Sequence, residues 1–177
     1  MGRLAVIAAL AAALLFAVAA GADAGTTPSR SFTASNALEA GVLTELNAVR
    51  RAHGLVPLRL SRPLSSAADV HSRAMGTHGF FGHDSRDGSD FWLRVKRFYG
   101  PGRNGTWAVG ENLLWSSAGL DARDALRLWM QSPGHRKNIL TPRWREIGLS
   151  ALAVAAAPGV FGGRDVVITT SDFGVRS

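Results

Sequence analysis

The sequence predicts an α+β domain, with helices packed against an antiparallel sheet. Three observations predict it. Helical periodicity dominates from Asn36 to Pro133, and strand-like alternation follows Glu146. The two kinds of segment are segregated, helices first and sheet late, so the pattern is not that of a parallel α/β chain. The chain has 177 residues, 46% of them apolar, enough for one domain with a real core.

The N-terminus stands apart from that domain. Met1-Gly2-Arg3 is a short basic start, and Leu4 to Ala20 is almost wholly Ala, Leu, Val, Ile and Phe. Val18-Ala19-Ala20 and Ala22-Asp23-Ala24 then offer small-x-small cleavage sites. This is the composition of a cleavable signal peptide over residues 1–24, cut after Ala20, Ala22 or Ala24. The competing reading is an uncleaved anchor helix, for which the apolar run is at the short limit. No second long apolar run follows, so no membrane span is expected in the mature chain. The expected location is secreted, extracellular or in the cell envelope.

Cysteine is absent. A disulfide framework and a lipid anchor on an N-terminal Cys are therefore both excluded. Net charge is +7, nearly all of it from Arg; Lys96 and Lys137 are the only lysines. The basic residues are scattered, with no cluster and no interleaved aromatic platform, so nucleic acid is not expected as a partner. Wall polymers, anionic lipid headgroups or polysaccharide fit such a charge, as does a merely solvated Arg-rich surface.

Residues 25–35 are small and polar and read as a flexible leader; the domain is expected over 36–177. Asn36 and Glu39 have the spacing of a capping box, and Leu38, Val42, Leu46 and Val49 recur at helical intervals up to His53. Leu64, Ala67, Ala68, His71 and Met75 form the buried stripe of a second helix. His71 on that stripe is expected to be a core histidine, or one hydrogen-bonded to a carbonyl, and not a ligand. Phe91, Trp92, Val95 and Phe98 belong to a short third helix. Trp107 to Trp115 reads as an extended segment interrupted at Gly110-Glu111-Asn112. Asp121 caps a helix with Ala122, Ala125, Leu128 and Trp129 inward, ended by Pro133-Gly134. Glu146 to Val154 alternates as a strand, and Asp165 to Ser171 is strand-like by β-branched content. The last two form a hairpin.

His83, Glu111 and His135 stand in Gly-rich turns outside these periodic segments. Two neutral imidazoles and a carboxylate satisfy the ligand count of a catalytic zinc site with one open position. Alternatively, the carboxylate fixes the tautomer of one imidazole and raises its basicity. Each residue also has a plain role available: Glu111 capping a turn, His135 bridging the Pro-Gly turn, His83 exposed to solvent. The sequence has no Gly-x-Ser-x-Gly elbow, no His-Glu-x-x-His helix and no phosphate-binding glycine loop. His53 and His78, near helix ends, read as surface or capping groups, and the five tryptophans as core or groove wall.

Several stretches together resemble the CAP superfamily, also called the SCP domain, in its cysteine-free bacterial branch. They are Leu46-Asn-Ala-Val-Arg50, Leu58-x-Leu60 to Ala68, Phe80-Phe-Gly-His-Asp-Ser-Arg-Asp-Gly88, Gly110-Glu-Asn-Leu113, Trp129 to Leu140, Glu146-Ile-Gly148 and Asp172-Phe-Gly174. The resemblance implies an α-β-α sandwich and a cleft of two histidines and two acids that sometimes binds zinc. His83, Glu111 and His135 match three of the four. Ser132 stands where the remaining acid is found in eukaryotic relatives, so that acid is missing.

The expected function is that of an exported protein whose cleft, formed by His83, Glu111, His135, Asn112 and Ser132, binds zinc, another divalent metal or a small polar ligand. Two alternatives stand beside it. One is a peptidase-like hydrolase in which Glu111 or a metal-bound water acts. The other is a module for lipid, sterol or cell-wall polymer using an apolar groove.

Overall fold

The computed structural model describes residues 31–177. The expected signal peptide and most of the expected leader lie outside the described residues. Five helices and five strands follow in order among those described: β1 (Phe32–Ala34), α1 (Asn36–Ala52), β2 (Arg59–Leu60), α2 (Arg62–His78), α3 (Phe91–Phe98), β3 (Trp107–Ser117), α4 (Ala122–Gln131), α5 (Pro133–Ile139), β4 (Glu146–Ala157) and β5 (Arg164–Arg176). The sheet runs β1-β4-β5-β3, with β2 parallel to the start of β4 and all other pairings antiparallel. The α+β expectation and the late hairpin hold.

Residues paired across the sheet share a face. Glu111, Asp172 and Gly148 stand in one row across β3, β5 and β4. A Cβ at Gly148 would fall 2.0 Å from Leu64 C, so this row faces α2. Ser72 of α2 confirms the side by hydrogen-bonding Thr170 at 2.8 Å. On the opposite face Leu38, Val42 and Leu46 of α1 and Trp129 of α4 pack with Ile147, Leu149 and Phe173. Helices thus cover both faces of the sheet, the sandwich that the resemblance implies. No helix among the described residues is long and apolar enough to cross a membrane.

Several local expectations are corrected. Phe32–Ala34, inside the stretch read as a leader, pair with β4 as an edge strand. The capping box does not form. Ser35 is the N-cap of α1 without a side-chain bond, and the Glu39 carboxylate accepts from Ala151 N of β4 at 2.9 Å. Leu128 is exposed, and Leu126 is buried in its place. Gly110-Glu111-Asn112 does not interrupt β3. Gly110 sits where a Cβ would meet Asn138 Oδ1 at 2.5 Å, so its glycine serves close packing and not a turn. Pro133 ends α4 but also opens α5, at a position where its missing N–H costs nothing.

Candidate functional site

Glu111 lies mid-strand, its carboxylate on the α2–α3 side of the sheet and 1% exposed. Burial of a carboxylate demands partners. Its Oε1 accepts from His83 Nδ1 at 2.9 Å, and its Oε2 accepts from Arg94 Nη2. Arg94 is itself buried and donates through Nη1 to His83 O at 3.2 Å. One guanidinium therefore holds both the carboxylate and the backbone of the residue that the carboxylate orients. Phe91, a turn earlier on α3, sets its ring edge-on to the His83 imidazole, centroids 6.4 Å apart.

The tautomer of His83 follows. An ionised carboxylate only accepts, so Nδ1 carries hydrogen and Nε2 is left for solvent or a ligand on a half-exposed ring. The Glu111 hydrogen bond raises the pKa of His83 above its ordinary value against the opposing effect of burial. His135, half-buried in the first turn of α5, is shifted the other way, by burial and then by the neighbouring charge of His83. His83 and Glu111 are thus in direct contact, whereas the ring of His135 forms no hydrogen bond or ion pair with either among the described residues.

The other two expected contacts have different positions. Asn112 is fully buried on the opposite face and donates to His135 O at 3.1 Å. Asn138 of α5 donates to Glu111 O at 3.0 Å and Asn112 Oδ1 at 3.1 Å. These amides fasten α5, and with it His135, to β3, the outermost strand. Asn112 is therefore a brace beneath the site. Ser132 is half-buried at the N-cap of α5, where its carbonyl accepts from Arg136 N at 2.9 Å.

As a three-ligand metal set, His83, Glu111 and His135 do not fit. Both Glu111 oxygens are engaged, one by a cation. Among the described residues no group of three His, Cys, Asp or Glu is placed to hold a metal ion. The second sequence reading, a carboxylate that orients an imidazole, is the geometry observed.

Two residues of this network were missed in the sequence. Arg94 falls on the apolar stripe of α3, three residues after Phe91, and a charge on a buried stripe signals a buried partner. Asp172 is fully buried with its carboxyl group against that of Glu111, and no nitrogen donor among the described residues is placed on either of its oxygens. Burial, then the Glu111 charge, pushes its pKa well above the ordinary carboxylate range. Its signal was an Asp inside the strongest strand of the chain. His71 matches its expectation: it is 1% exposed and its Nε2 donates to Gly82 O at 2.8 Å, which pins the loop bearing His83.

The protein YkwD of Bacillus subtilis is 31% identical to this chain over 129 residues, 72% of this chain and 48% of that protein. An extracellular SCP-domain protein of Bacillus anthracis superposes with a TM-score of 0.61 at 25% identity, over 80% of this chain and 41% of that one. An outer surface protein of Borrelia burgdorferi, 16% identical with a TM-score of 0.67, matches in fold over 83% of this chain and 98% of its own. The chain spans about half the length of YkwD. The model of the cysteine-rich secretory protein family, CAP, matches residues 43–159, more than half of the sequence, and the chain belongs to that family.

Proposed function

We propose that this CAP domain works outside the cytoplasm as a binding protein whose cleft takes a small polar ligand on His83 Nε2 and the His135 ring. The observation that carries this reading is the His83–Glu111 bond at 2.9 Å, which holds the imidazole in one tautomer with one nitrogen outward. An orienting carboxylate buried under an arginine is what a preorganised hydrogen-bonding site needs. The extracellular setting rests on the name of the Bacillus anthracis relative. A hydrolase with Glu111 as base is less well supported, because that carboxylate is buried and both its oxygens are engaged.

A divalent metal has a place only through the two imidazoles, with Glu111 behind His83, and would supply Lewis acidity to a bound ligand. The Asn112 and Asn138 bonds that fasten α5, and with it His135, to the strand carrying Glu111 support this second reading.

The test follows the imidazole resonances of His83 and His135 while N-acetylated amino sugars, short peptides and zinc are added separately. A saturable shift with an organic probe, absent in His83→Ala, supports ligand binding. Saturable zinc stabilisation, absent in His83→Ala/His135→Ala, supports the metal reading. Unmoved resonances with every probe would remove both.

A further inference from the structure

A cavity of about 470 Å³ lies between α2, α3 and residues 85–87. Its walls include Val70 and Ala74 of α2, Arg94 and Arg97 of α3, and Arg86 and Asp87 of the loop. His83, Glu111 and His135 do not line it.

The charge balance of this cavity is uneven. Three guanidinium groups face one carboxylate. Asp87, that carboxylate, is turned to its own loop, with Oδ1 accepting from Ser89 N at 3.0 Å and Ser89 Oγ at 2.7 Å. Arg94 is neutralised by Glu111, yet its Nε is buried without a hydrogen-bond partner. Arg97 forms no ion pair among the described residues. Among the described residues Arg86 forms no ion pair and bonds the His78 ring, with Nη1 3.2 Å from Nδ1. His71, also on the wall, is held neutral with its pKa lowered to about 4, chiefly by burial. Glu111 pairs with Arg94 and Asp87 feels the Arg97 charge, so three guanidinium groups answer two carboxylates. Cations in excess on a concave wall concentrate the field on the space they enclose. Planar guanidinium forks match phosphate and carboxylate oxygens.

We propose that this cavity is an anion-binding site for a phosphate monoester, seated on Arg86, Arg97 and Arg94 with its organic part against Val70 and Ala74. The cavity is larger than a bare phosphate requires, and its α2 wall is apolar, so an esterified phosphate fits it better than the inorganic ion. Arg94 is the shared wall: its guanidinium holds Glu111 on one side and borders this cavity on the other. The proposal stands apart from the cleft reading and does not depend on it.

The experiment uses the exported chain and phenyl phosphate as probe, with phosphatidylcholine vesicles doped with phosphatidic acid in a second arm. Arginine Nε–H resonances report the site directly. Phenyl phosphate is expected to shift Arg94 and Arg97 saturably. Arg86→Gln/Arg97→Gln, at exposed positions that leave the fold intact, should weaken binding about tenfold or more, as loss of charge-assisted hydrogen bonds predicts. His83→Ala/His135→Ala should bind the probe unchanged even if the cleft reading fails. Vesicle binding that the double Arg variant loses identifies a lipid headgroup as the source; phenyl phosphate binding without vesicle binding identifies a soluble monoester. No saturable shift with phenyl phosphate, or a shift that survives the double Arg substitution, would overturn the site.

Discussion

His83 Nδ1 and Glu111 Oε1 are 2.9 Å apart, joining a half-exposed ring to a buried carboxylate. Because this bond raises the pKa of His83, the protonated ring is favoured in the folded state. Its stabilisation is fully present below the ordinary value of 6.5 and is lost as pH rises through the folded value. Glu111→Gln should bring the His83 titration down, since burial and the Arg94 charge then lose their largest opponent and face chiefly the weaker effect of Asp84. Imidazole proton shifts against pH measure it. An unchanged His83 titration in that variant would show that the carboxylate does not set the ring.

His71 acts in the opposite direction. Its folded pKa is depressed to about 4, so its stabilisation is present above 6.5 and is lost as pH falls toward 4. The loss is roughly 3 kcal/mol, from 1.36 kcal/mol per pH unit. Asp172 changes stability the other way over part of this range, so the comparison must be with a variant. His71→Gln keeps a donor for Gly82 O and removes the titration. Denaturant unfolding of the two proteins from pH 7 to 4 should show the parent losing the extra stability. Parallel profiles would contradict a neutral buried His71.

Much of the fold was legible because α1, α2 and β4 carry their own periodicity and β5 its β-branched content. What was missed depends on distant partners. Gly110 looks like a break until Asn138 is seen against it. Glu39 has the capping-box spacing, but Ala151 N offers it a better-placed donor. Pro133 carries a stop signal and a start signal together, and local sequence does not rank them. At the site, His83, Glu111 and His135 were legible through the family motifs. The exclusive use of Glu111 by Arg94 and His83 was not, because it arises from the packing of α3 on β3. Asp172 was quoted within a motif and given no role, since strand register alone puts it opposite Glu111.

That pairing has an energetic consequence. Arg94 and Glu111 form a buried pair, and removing one partner of such a pair costs about 3–5 kcal/mol. Asp172, whose pKa burial and the Glu111 charge raise, is a reserve counter-ion. Its raised pKa means that its contribution is present below 3.8 and falls as pH rises toward the folded value. Asp172→Asn alone should therefore be nearly neutral at low pH and increasingly stabilising as pH rises. In Glu111→Gln, Asp172 can ionise against Arg94 and reduce the cost. The double variant Glu111→Gln/Asp172→Asn should be less stable than the sum of the singles, by about 1–3 kcal/mol. Unfolding free energies of the four proteins form the cycle. Additive values would mean that Asp172 does not exchange charge with Glu111.

The same row of the sheet ends at Gly148, which sets how closely α2 can approach. A Cβ there would stand 2.0 Å from Leu64 C and 2.2 Å from Ser65 N, both of them helix backbone. Neither can swing aside as a side-chain tip could, so the first turn of α2 would have to lift from β4. That turn is fixed by Ser65 Oγ, which accepts from Leu149 N at 3.1 Å, and by Leu64, which packs under Tyr99. Gly148→Ala should cost about 3 kcal/mol, the upper end for overpacking. Moving the first turn of α2 would disturb the Leu64–Val95–Tyr99 cluster that seats α3, and α3 carries Arg94. The His83 titration should therefore rise further above its ordinary value in Gly148→Ala, because a displaced Arg94 no longer lowers it, although the substitution touches neither His83 nor Glu111. A stability loss with an unmoved His83 titration would show that α3 holds Arg94 in place without help from α2.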